Sequence, residues 1–209
     1  METKIENFTS RMAALMGRLR REMNGAVVES MQRAGVRGML NYGVSIPTLR
    51  AIAREQGSDH AFARFLFKQQ VRELRLAAAS IAEPSRVTPS EAEEWVAGAG
   101  SLEIVDEVAM CLLSRASGEV HRAMTDSWLK GENSLNCYAS LMSLNRTSIP
   151  SEELFPAIYD LLKRFPEDRN VARAALAYST FHYGAYALEE FPDTPSGRFV
   201  REELHALFA

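Results

Sequence analysis

One carboxylate in residues 101–109, Ser-Leu-Glu-Ile-Val-Asp-Glu-Val-Ala, has an unusual setting. On a helix, Asp106 would share a stripe with Leu102, Ala109 and Leu113. The spacing therefore predicts that Asp106 lies among apolar neighbours, while Glu103 and Glu107 lie on a solvated edge. An ionised carboxylate in apolar surroundings is unfavourable unless a partner compensates it. Asp106 is thus either an acid poised to meet a cation or a structural acid that caps a neighbouring helix or pairs with an arginine.

The sequence has none of the common motifs of nucleotide, metal or acyl-transfer chemistry. It contains no GxxxxGK[ST] loop, no Rossmann glycine triplet, no HExxH or CxxC pair and no GxSxG elbow. Its four histidines are scattered, so we expect no metal and no cofactor. Cys111 and Cys137 have no histidine nearby in sequence and are interpreted as small buried hydrophobes.

The two halves of the chain differ in charge. Residues 1–82 carry 13 Lys and Arg against 7 Asp and Glu, whereas residues 83–209 carry 11 against 20. Twenty of the 24 basic residues are arginines, which bind phosphates and carboxylates with two donors at once. The basic half is compatible with a phosphate backbone as partner. It is equally compatible with a fold in which the two halves offset one another.

Length and hydropathy predict an ordinary soluble protein. A chain of 209 residues suggests one domain over residues 1–209, or one continuous array. The first residues lack the apolar core of a signal peptide, and the longest uncharged stretch, 174–188, is too short to span a membrane. We therefore expect a cytoplasmic monomer without a membrane partner.

Nearly every segment has the apolar spacing of a helix, and no window alternates with the period of a strand. Glycine, proline and capping residues divide the chain into helices at about 5–23, 26–33, 48–56, 61–68, 71–82, 89–97, 102–115, 119–129, 133–145, 151–164, 168–184 and 194–208. Short connections favour antiparallel neighbours. A dozen similar helices predict an all-α fold, an α-solenoid of HEAT-like helical pairs that form an α-α superhelix.

Against this background, one run of residues is familiar. Asn41 to Ala53, Asn-Tyr-Gly-Val-Ser-Ile-Pro-Thr-Leu-Arg-Ala-Ile-Ala, resembles the "YGV-x-x-P-x-L-R-x-I-A" run of the DNA alkylation repair family, the AlkD-like HEAT-like-repeat DNA glycosylases. Three further stretches follow in that family's order: Val71-Arg72-Glu73, Leu102 to Asp106, and Val171 to Ala175. The resemblance covers roughly residues 10–185.

The resemblance implies an arc of helices whose concave basic face holds duplex DNA, including damaged or unusually structured DNA. The family's glycosylases remove positively charged alkylated purines, and a carboxylate stabilises the cationic sugar as the N-glycosidic bond breaks. Asp106 matches that catalytic carboxylate. The positions that the resemblance assigns to DNA binding are Tyr42, Arg50, Leu102, Cys137, Arg173 and Tyr178.

Several of these positions depart from the family's pattern. Leu102 stands where the family has a tryptophan, and Cys137 stands where it has an arginine. Tyr178 aligns with a second tryptophan, and Phe181 with a basic residue one turn later. The aromatic residues Tyr178, Phe181, His182, Tyr183 and Tyr186 could offer a stacking surface or pack within the last helical pair. Trp95 and Trp128 are predicted to be core residues or anchors between repeats.

Two functions remain open at this point. The first is a DNA repair protein with or without base excision, for which Arg37, Arg50, Arg54 and Arg72 should gather on one concave face. The second is a non-catalytic helical-repeat module that binds structured DNA or another protein, because a solenoid fold does not by itself fix function.

Overall fold

A computed structural model describes residues 2–33, 38–147, 151–182 and 191–208, with the side chains of 2–6 and 151–153 excepted. The α-helices in these ranges are α1 (Glu2–Arg21), α2 (Gly25–Arg33), α3 (Ile46–Arg54), α4 (His60–Phe67), α5 (Arg72–Ile81), α6 (Pro89–Ala97), α7 (Leu102–Glu107), α8 (Gly118–Ala123), α9 (Ser134–Leu144), α10 (Ser151–Arg164), α11 (Arg169–Phe181) and α12 (Pro195–Phe208). The described ranges contain no β-strand, only an isolated parallel bridge between Leu40 and Val71. The all-α prediction is confirmed.

Two helices that the sequence predicts as single elements change their winding midway. After α7 the chain continues as a π-helical turn, Val108–Leu112, and a 3₁₀ turn, Leu113–Arg115. After α8 it continues as a second π-helical turn, Met124–Trp128. Because a π turn inserts residues into the helical repeat, side chains beyond Glu107 no longer follow the register that a continuous α-helix predicts.

Unit 1, the first of two compact parts, consists of Met1–Arg86 and Gly98–Leu112. Its helices begin at capping side chains that the sequence predicts: Ser45 accepts from the Thr48 amide at 3.3 Å, and Asp59 accepts from the Phe62 amide at 3.0 Å. The apolar faces of α1, α3, α4 and α5 meet in a core of fully buried side chains: Leu15, Leu19, Leu49, Phe62, Leu66 and Leu74. Their spacing of three and four residues places them on single helix faces.

Unit 2 consists of Val87–Ala97 and Leu113–Ala209. Trp95 on α6 is buried and donates from Nε1 to the Glu91 carboxylate at 3.3 Å. Trp128 is buried as well and donates to Glu93 at 3.1 Å. The prediction that both tryptophans belong to the core is confirmed, and each buried indole N–H has an acceptor, as its burial requires.

Candidate nucleic-acid interface

The loop before α3 is held by a buried charge pair at the start of α5. Glu73 is fully buried, and its Oε1 accepts from the backbone amides of Tyr42 at 3.1 Å and Val44 at 3.4 Å. Arg72 Nη1 donates to the same Oε1 at 2.8 Å and to the Val44 carbonyl at 3.2 Å. The Tyr-Gly-Val run and the Arg-Glu run are therefore two sides of one polar network.

Glycine is required at position 43 of this loop. Its φ is +70°, in the left-handed region, and a Cβ there would lie 2.4 Å from the Asn24 carbonyl oxygen. That carbonyl belongs to the turn before α2, whose Asn24 amide donates to the Tyr42 carbonyl at 2.9 Å. The close approach of the two backbones fixes where the Tyr42 side chain begins.

Tyr42 is a core residue of unit 1, and the DNA-binding role that the resemblance implies for it stays a prediction. Its ring is buried, and its hydroxyl accepts from Arg20 Nε at 3.2 Å. The Arg20 guanidinium lies 5.7 Å from the ring centroid and is itself exposed. Tyr42 therefore orients an exposed cation on α1, because cation–π attraction and the hydrogen bond both restrict that guanidinium.

Arg72 is buried, so its expected place on an exposed basic face is wrong. Besides Glu73, it binds Glu103 on α7 with two donors, Nε at 2.7 Å to Oε2 and Nη2 to Oε1. Burial alone would lower the pKa of Arg72, but the hydrogen bonds and charge of Glu103, joined by those of Glu73, raise it. Arg72 therefore stays positively charged, and Glu73 and Glu103 neutralise this charge inside unit 1.

Arg50 is held by Glu107, and this pair overturns a second expectation. Arg50 Nε donates to Oε1 at 2.9 Å and Nη2 to Oε2 at 2.6 Å. Glu107 lies on a buried face of α7 with 3% of its side chain exposed, not on the predicted solvated edge. Ser80 Oγ at 3.3 Å and Cys111 Sγ at 3.1 Å also donate to Glu107 Oε1.

The geometry of the Arg50–Glu107 pair explains its electrostatics. The hydrogen bonds that Arg50 donates to Glu107 raise the pKa of Arg50 well above its usual value, against the smaller opposing effect of burial. Arg50 keeps 31% of its side chain exposed, but its two strongest donors point inward to the carboxylate. Of the other arginines predicted to gather here, Arg54 is exposed, and Arg37 lies outside the described residues.

Asp106 and Leu102 are half-buried on the outer edge of α7, whereas Ile104 and Val105 are buried. Asp106 is thus only half-buried, whereas Glu107 is almost fully buried, which is the reverse of the predicted arrangement. Of the three acids on α7, Glu103 and Glu107 bind arginines of unit 1.

In unit 2, Cys137 is fully buried at the start of α9. Its Sγ donates to the carbonyls of Trp128 at 3.1 Å and Gly131 at 3.7 Å. Burial raises the pKa of the Cys137 thiol, so it stays protonated and serves as a donor. Cys137 is a buried packing residue, as the sequence predicts, whereas Cys111 is half-buried. The DNA-binding role that the resemblance implies for position 137 stays a prediction.

Tyr178 is also fully buried, on the inner face of α11. Its ring stacks on His182, with centroids 4.4 Å apart, and meets Phe155 edge-on at 6.0 Å. Burial lowers the pKa of His182. Phe181 points the other way and is 71% exposed. Core packing thus describes Tyr178, while Tyr183 and Tyr186 of the predicted aromatic cluster lie outside the described residues.

Arg173 is the one DNA-binding candidate in unit 2 whose side chain is exposed. It lies one turn after Arg169 on α11, and both arginines line a groove between α11 and α12. Neither forms an ion pair within the described residues. The described part of the chain holds no group of three or more His, Cys, Asp or Glu side chains placed to bind a metal.

A family model described as the DNA alkylation repair enzyme matches residues 15–147. The chain belongs to this family. The matched segment includes the Tyr-Gly-Val loop, the Arg72–Glu73 pair and all of α7, so the network described above lies inside it.

A solved structure supports the fold of this family member. It is described as one of a new family of proteins related to the HEAT-like repeat DNA glycosylases with affinity for branched DNA structures. The two share 16% sequence identity over 93% of this chain and 94% of the other, with a TM-score of 0.72. The fold is therefore the predicted α-solenoid of HEAT-like helical pairs. Comparison with curated proteins finds no significant match.

The residues that sequence reasoning missed in this DNA alkylation repair family member are mostly acids and exposed cations. Glu73, Glu103 and Glu107 hold the arginines of unit 1, and Arg20 and Arg169 are exposed beside residues that the resemblance names. Glu73 and Glu103 lie within runs that carry the resemblance, and Arg169 lies four residues before Arg173, which places the two arginines on one helix face. Among the described helices, none is long and apolar enough to cross a membrane.

Proposed function

We propose that this protein binds DNA, prefers branched or otherwise distorted duplexes, and does not efficiently excise bases. Its membership of the DNA alkylation repair family and its likeness to a protein with affinity for branched DNA support DNA as the partner. The proposal that base excision is inefficient rests on the side chains at three positions. Leu102 replaces an aromatic side chain, Cys137 is a buried thiol in place of a cation, and Tyr178 is buried.

The physical reason concerns the environment of a catalytic anion. A carboxylate lowers the barrier to glycosidic bond cleavage when it is preorganised in a site from which water is excluded. Asp106 is half-buried at a solvent boundary, where water screens its interaction with a developing positive charge. Leu102, one turn earlier on α7, offers no aromatic face to pack against a nucleotide.

A second candidate function is excision of cationic alkylated purines, and one observation favours it. Glu103 and Glu107 are held by arginines of unit 1, and the half-buried Asp106 stands at the position that matches the family's carboxylate. DNA packed over α7 would exclude water from Asp106 and strengthen its charge. This candidate requires the bound DNA to complete the site.

The cations that remain for phosphates are the exposed arginines, not those of the internal pairs. They include Arg20 and Arg54 in unit 1, and Arg169 and Arg173 in unit 2. With a net charge of −3, the chain can neutralise only a few phosphates at once. We therefore expect modest affinity that falls steeply with salt.

The test is a titration of labelled DNA at low and moderate salt, with a four-way junction, a fork and a linear duplex of the same sequence. We expect the branched substrates to bind several-fold more tightly. Undetectable binding of every substrate at low salt would contradict the proposal and favour a protein partner.

A parallel assay measures base release from alkylated duplex DNA by the wild type and by Asp106→Asn. We expect no release above background from either protein. Release by the wild type that the substitution abolishes would establish the glycosylase candidate, because Asn preserves the shape and removes only the charge.

A further inference from the structure

The groove between α11 and α12 combines cations with an apolar surface. Its volume is about 720 Å³, within the range of roughly 300–1,000 Å³ typical of sites for small ligands. Arg169, Ala172 and Arg173 of α11 and Pro195 and Phe199 of α12 line it. A groove of this composition can bind a molecule that carries both negative charge and flat apolar faces.

The two arginines are arranged to meet neighbouring anions. They are four residues apart on α11, so their Cβ atoms lie about 5–6 Å from each other on one face of the helix. Both are exposed, and neither has an ion-pair partner among the described residues. Glu167 also lines the groove, so two positive charges face one negative charge and the lining is net positive.

The N-terminus of α11 does not bind the anion, because a side chain of the protein already caps it. Asp168 caps the helix, and its Oδ1 accepts from the amides of Asn170 at 2.9 Å and Val171 at 3.1 Å. Because the Asp168 carboxylate already occupies these amides, the helix terminus is not available to a phosphate. The positive charge of the groove therefore comes from Arg169 and Arg173.

Phe199 supplies the surface for a flat ring. The residue is 37% exposed and lines the groove, so part of its ring is open to a ligand there. Ser196, the hydroxyl in the lining, is buried, and its Oγ donates to the Phe165 carbonyl at 3.0 Å. Because the Ser196 hydroxyl donates to this carbonyl, it is not available to donate to the edge of a base. A base would therefore bind here by stacking, with little preference for sequence.

The groove is also preorganised. The Ser196 amide donates to the Pro166 carbonyl at 2.7 Å, and Thr194 Oγ1 donates to the Leu162 carbonyl at 3.0 Å. At Gly197 a Cβ would lie 2.1 Å from the Pro192 carbonyl oxygen, so only glycine allows this close packing. These contacts tie the first turn of α12 to the chain before α11, which lowers the entropy cost of binding.

From these features we infer that the α11–α12 groove holds a short single-stranded segment of DNA, with Arg169 and Arg173 on its phosphates and Phe199 against a base. This inference rests on the DNA binding proposed above and names the part of a branched substrate that unit 2 takes. In a duplex the base faces are stacked on one another and cannot reach Phe199, whereas an unpaired arm exposes them.

The experiment compares three labelled DNAs by fluorescence anisotropy: a blunt duplex, the same duplex with a single-stranded arm, and a thymine oligomer. The variants are Arg169→Ala/Arg173→Ala and Phe199→Ala. The charge-matched control is Arg122→Ala/Arg146→Ala, which removes two exposed arginines of unit 2 from outside the groove. Phe199→Leu keeps an apolar side chain but removes the aromatic face.

We expect the double arginine variant to lose about tenfold or more in affinity for the armed duplex and the oligomer, and to lower the slope of log affinity against log salt by roughly 1.4, for two single-strand phosphates. Phe199→Ala and Phe199→Leu should weaken the same two DNAs by roughly fivefold or more without a change in slope. Blunt-duplex binding should stay within about twofold of wild type in each case.

Three outcomes would decide against the inference or its basis. If wild type binds none of the DNAs, the proposed function fails. If wild type binds but the groove variants behave like the Arg122/Arg146 control, the function stands and the groove assignment is overturned. Equal losses for blunt and armed duplexes would also overturn it, because the arginines would then contact duplex phosphates.

Discussion

The arginines of the two units are used in different ways. In unit 1, Arg50 and Arg72 are bound by carboxylates of α5 and α7. In unit 2, Arg169 and Arg173 are exposed and without an ion pair among the described residues. The half of the chain that carries the net positive charge therefore uses part of that charge to stabilise its own fold.

Arg75 of unit 1 extends the comparison. It is buried, and it donates to the carbonyls of Gln69 at 2.7 Å, Gly98 at 2.9 Å and Ala99 at 3.3 Å. Burial lowers the pKa of Arg75. Counting basic residues along a sequence therefore overstates what a surface can offer to phosphates, because a planar guanidinium satisfies backbone carbonyls as readily as anions.

The largest expected effect is on the acid at the centre of unit 1. Glu73→Ala leaves Arg72 and the amides of Tyr42 and Val44 without their buried acceptor. We expect the free energy of unfolding to fall by about 3–5 kcal/mol, measured by urea denaturation. Glu73→Gln, which keeps one oxygen acceptor, should cost less. A loss below about 1 kcal/mol for the alanine variant would contradict this account of the loop.

Removing Arg50 should have the next largest effect. Arg50→Ala leaves the Glu107 carboxylate buried with only Ser80 and Cys111 as donors. Because Arg50 is about a third exposed and water can partly replace it, we expect a loss of about 2–3 kcal/mol. The losses of the two single variants, Arg50→Ala and Glu107→Ala, should sum to more than the loss of the double variant. A double-mutant cycle measures this difference as the coupling energy of the pair. Strict additivity would mean that the pair contributes nothing.

The counterpart in unit 2 should leave stability almost unchanged. Arg169→Ala/Arg173→Ala removes two exposed cations that hold nothing in place, so the free energy of unfolding should change by no more than about 0.5 kcal/mol. Thermal melting beside the Glu73 and Arg50 variants checks this. A loss comparable to that of Arg50→Ala would show that both units use arginine structurally and would remove the contrast.

The smallest expected effect concerns pH. Burial holds the pKa of His182 below its unfolded value of about 6.5. The unfolded chain then binds the proton more readily, so the stabilisation is complete above about pH 6.5 and is lost as pH falls through the lower native pKa. Between pH 7 and pH 5, wild type should lose more stability than His182→Gln. Parallel curves would rule out this contribution.

The helices could be predicted from the sequence because their signals are local. Ser45, Asp59 and Ser101 cap helices in the structure, and serine and aspartate are residue types that mark a helix start in a sequence. The roles of Asp106 and Glu107 could not be predicted in the same way. On an α-helix these two acids lie at equal angles on opposite edges of the stripe formed by Ile104, Val105, Val108 and Ala109.

Which of the two acids is buried depends on the element that packs against α7. Arg50 lies 57 residues before Glu107 and supplies the two donors that make its burial favourable. No local pattern encodes a partner at that separation. For the same reason the motif residues Tyr42 and Arg72 resembled surface contacts, although their partners Arg20, Glu73 and Glu103 place them inside unit 1.

The salt dependence of DNA binding tests the contrast between the arginines most directly. Log affinity for an armed duplex would be plotted against log salt concentration for wild type, Arg50→Met and Arg173→Ala, each shown to be folded by circular dichroism. We predict an unchanged slope for Arg50→Met and a slope smaller by about 0.7–0.9 for Arg173→Ala, the loss of one phosphate contact. A smaller slope for Arg50→Met with an unchanged slope for Arg173→Ala would contradict the account.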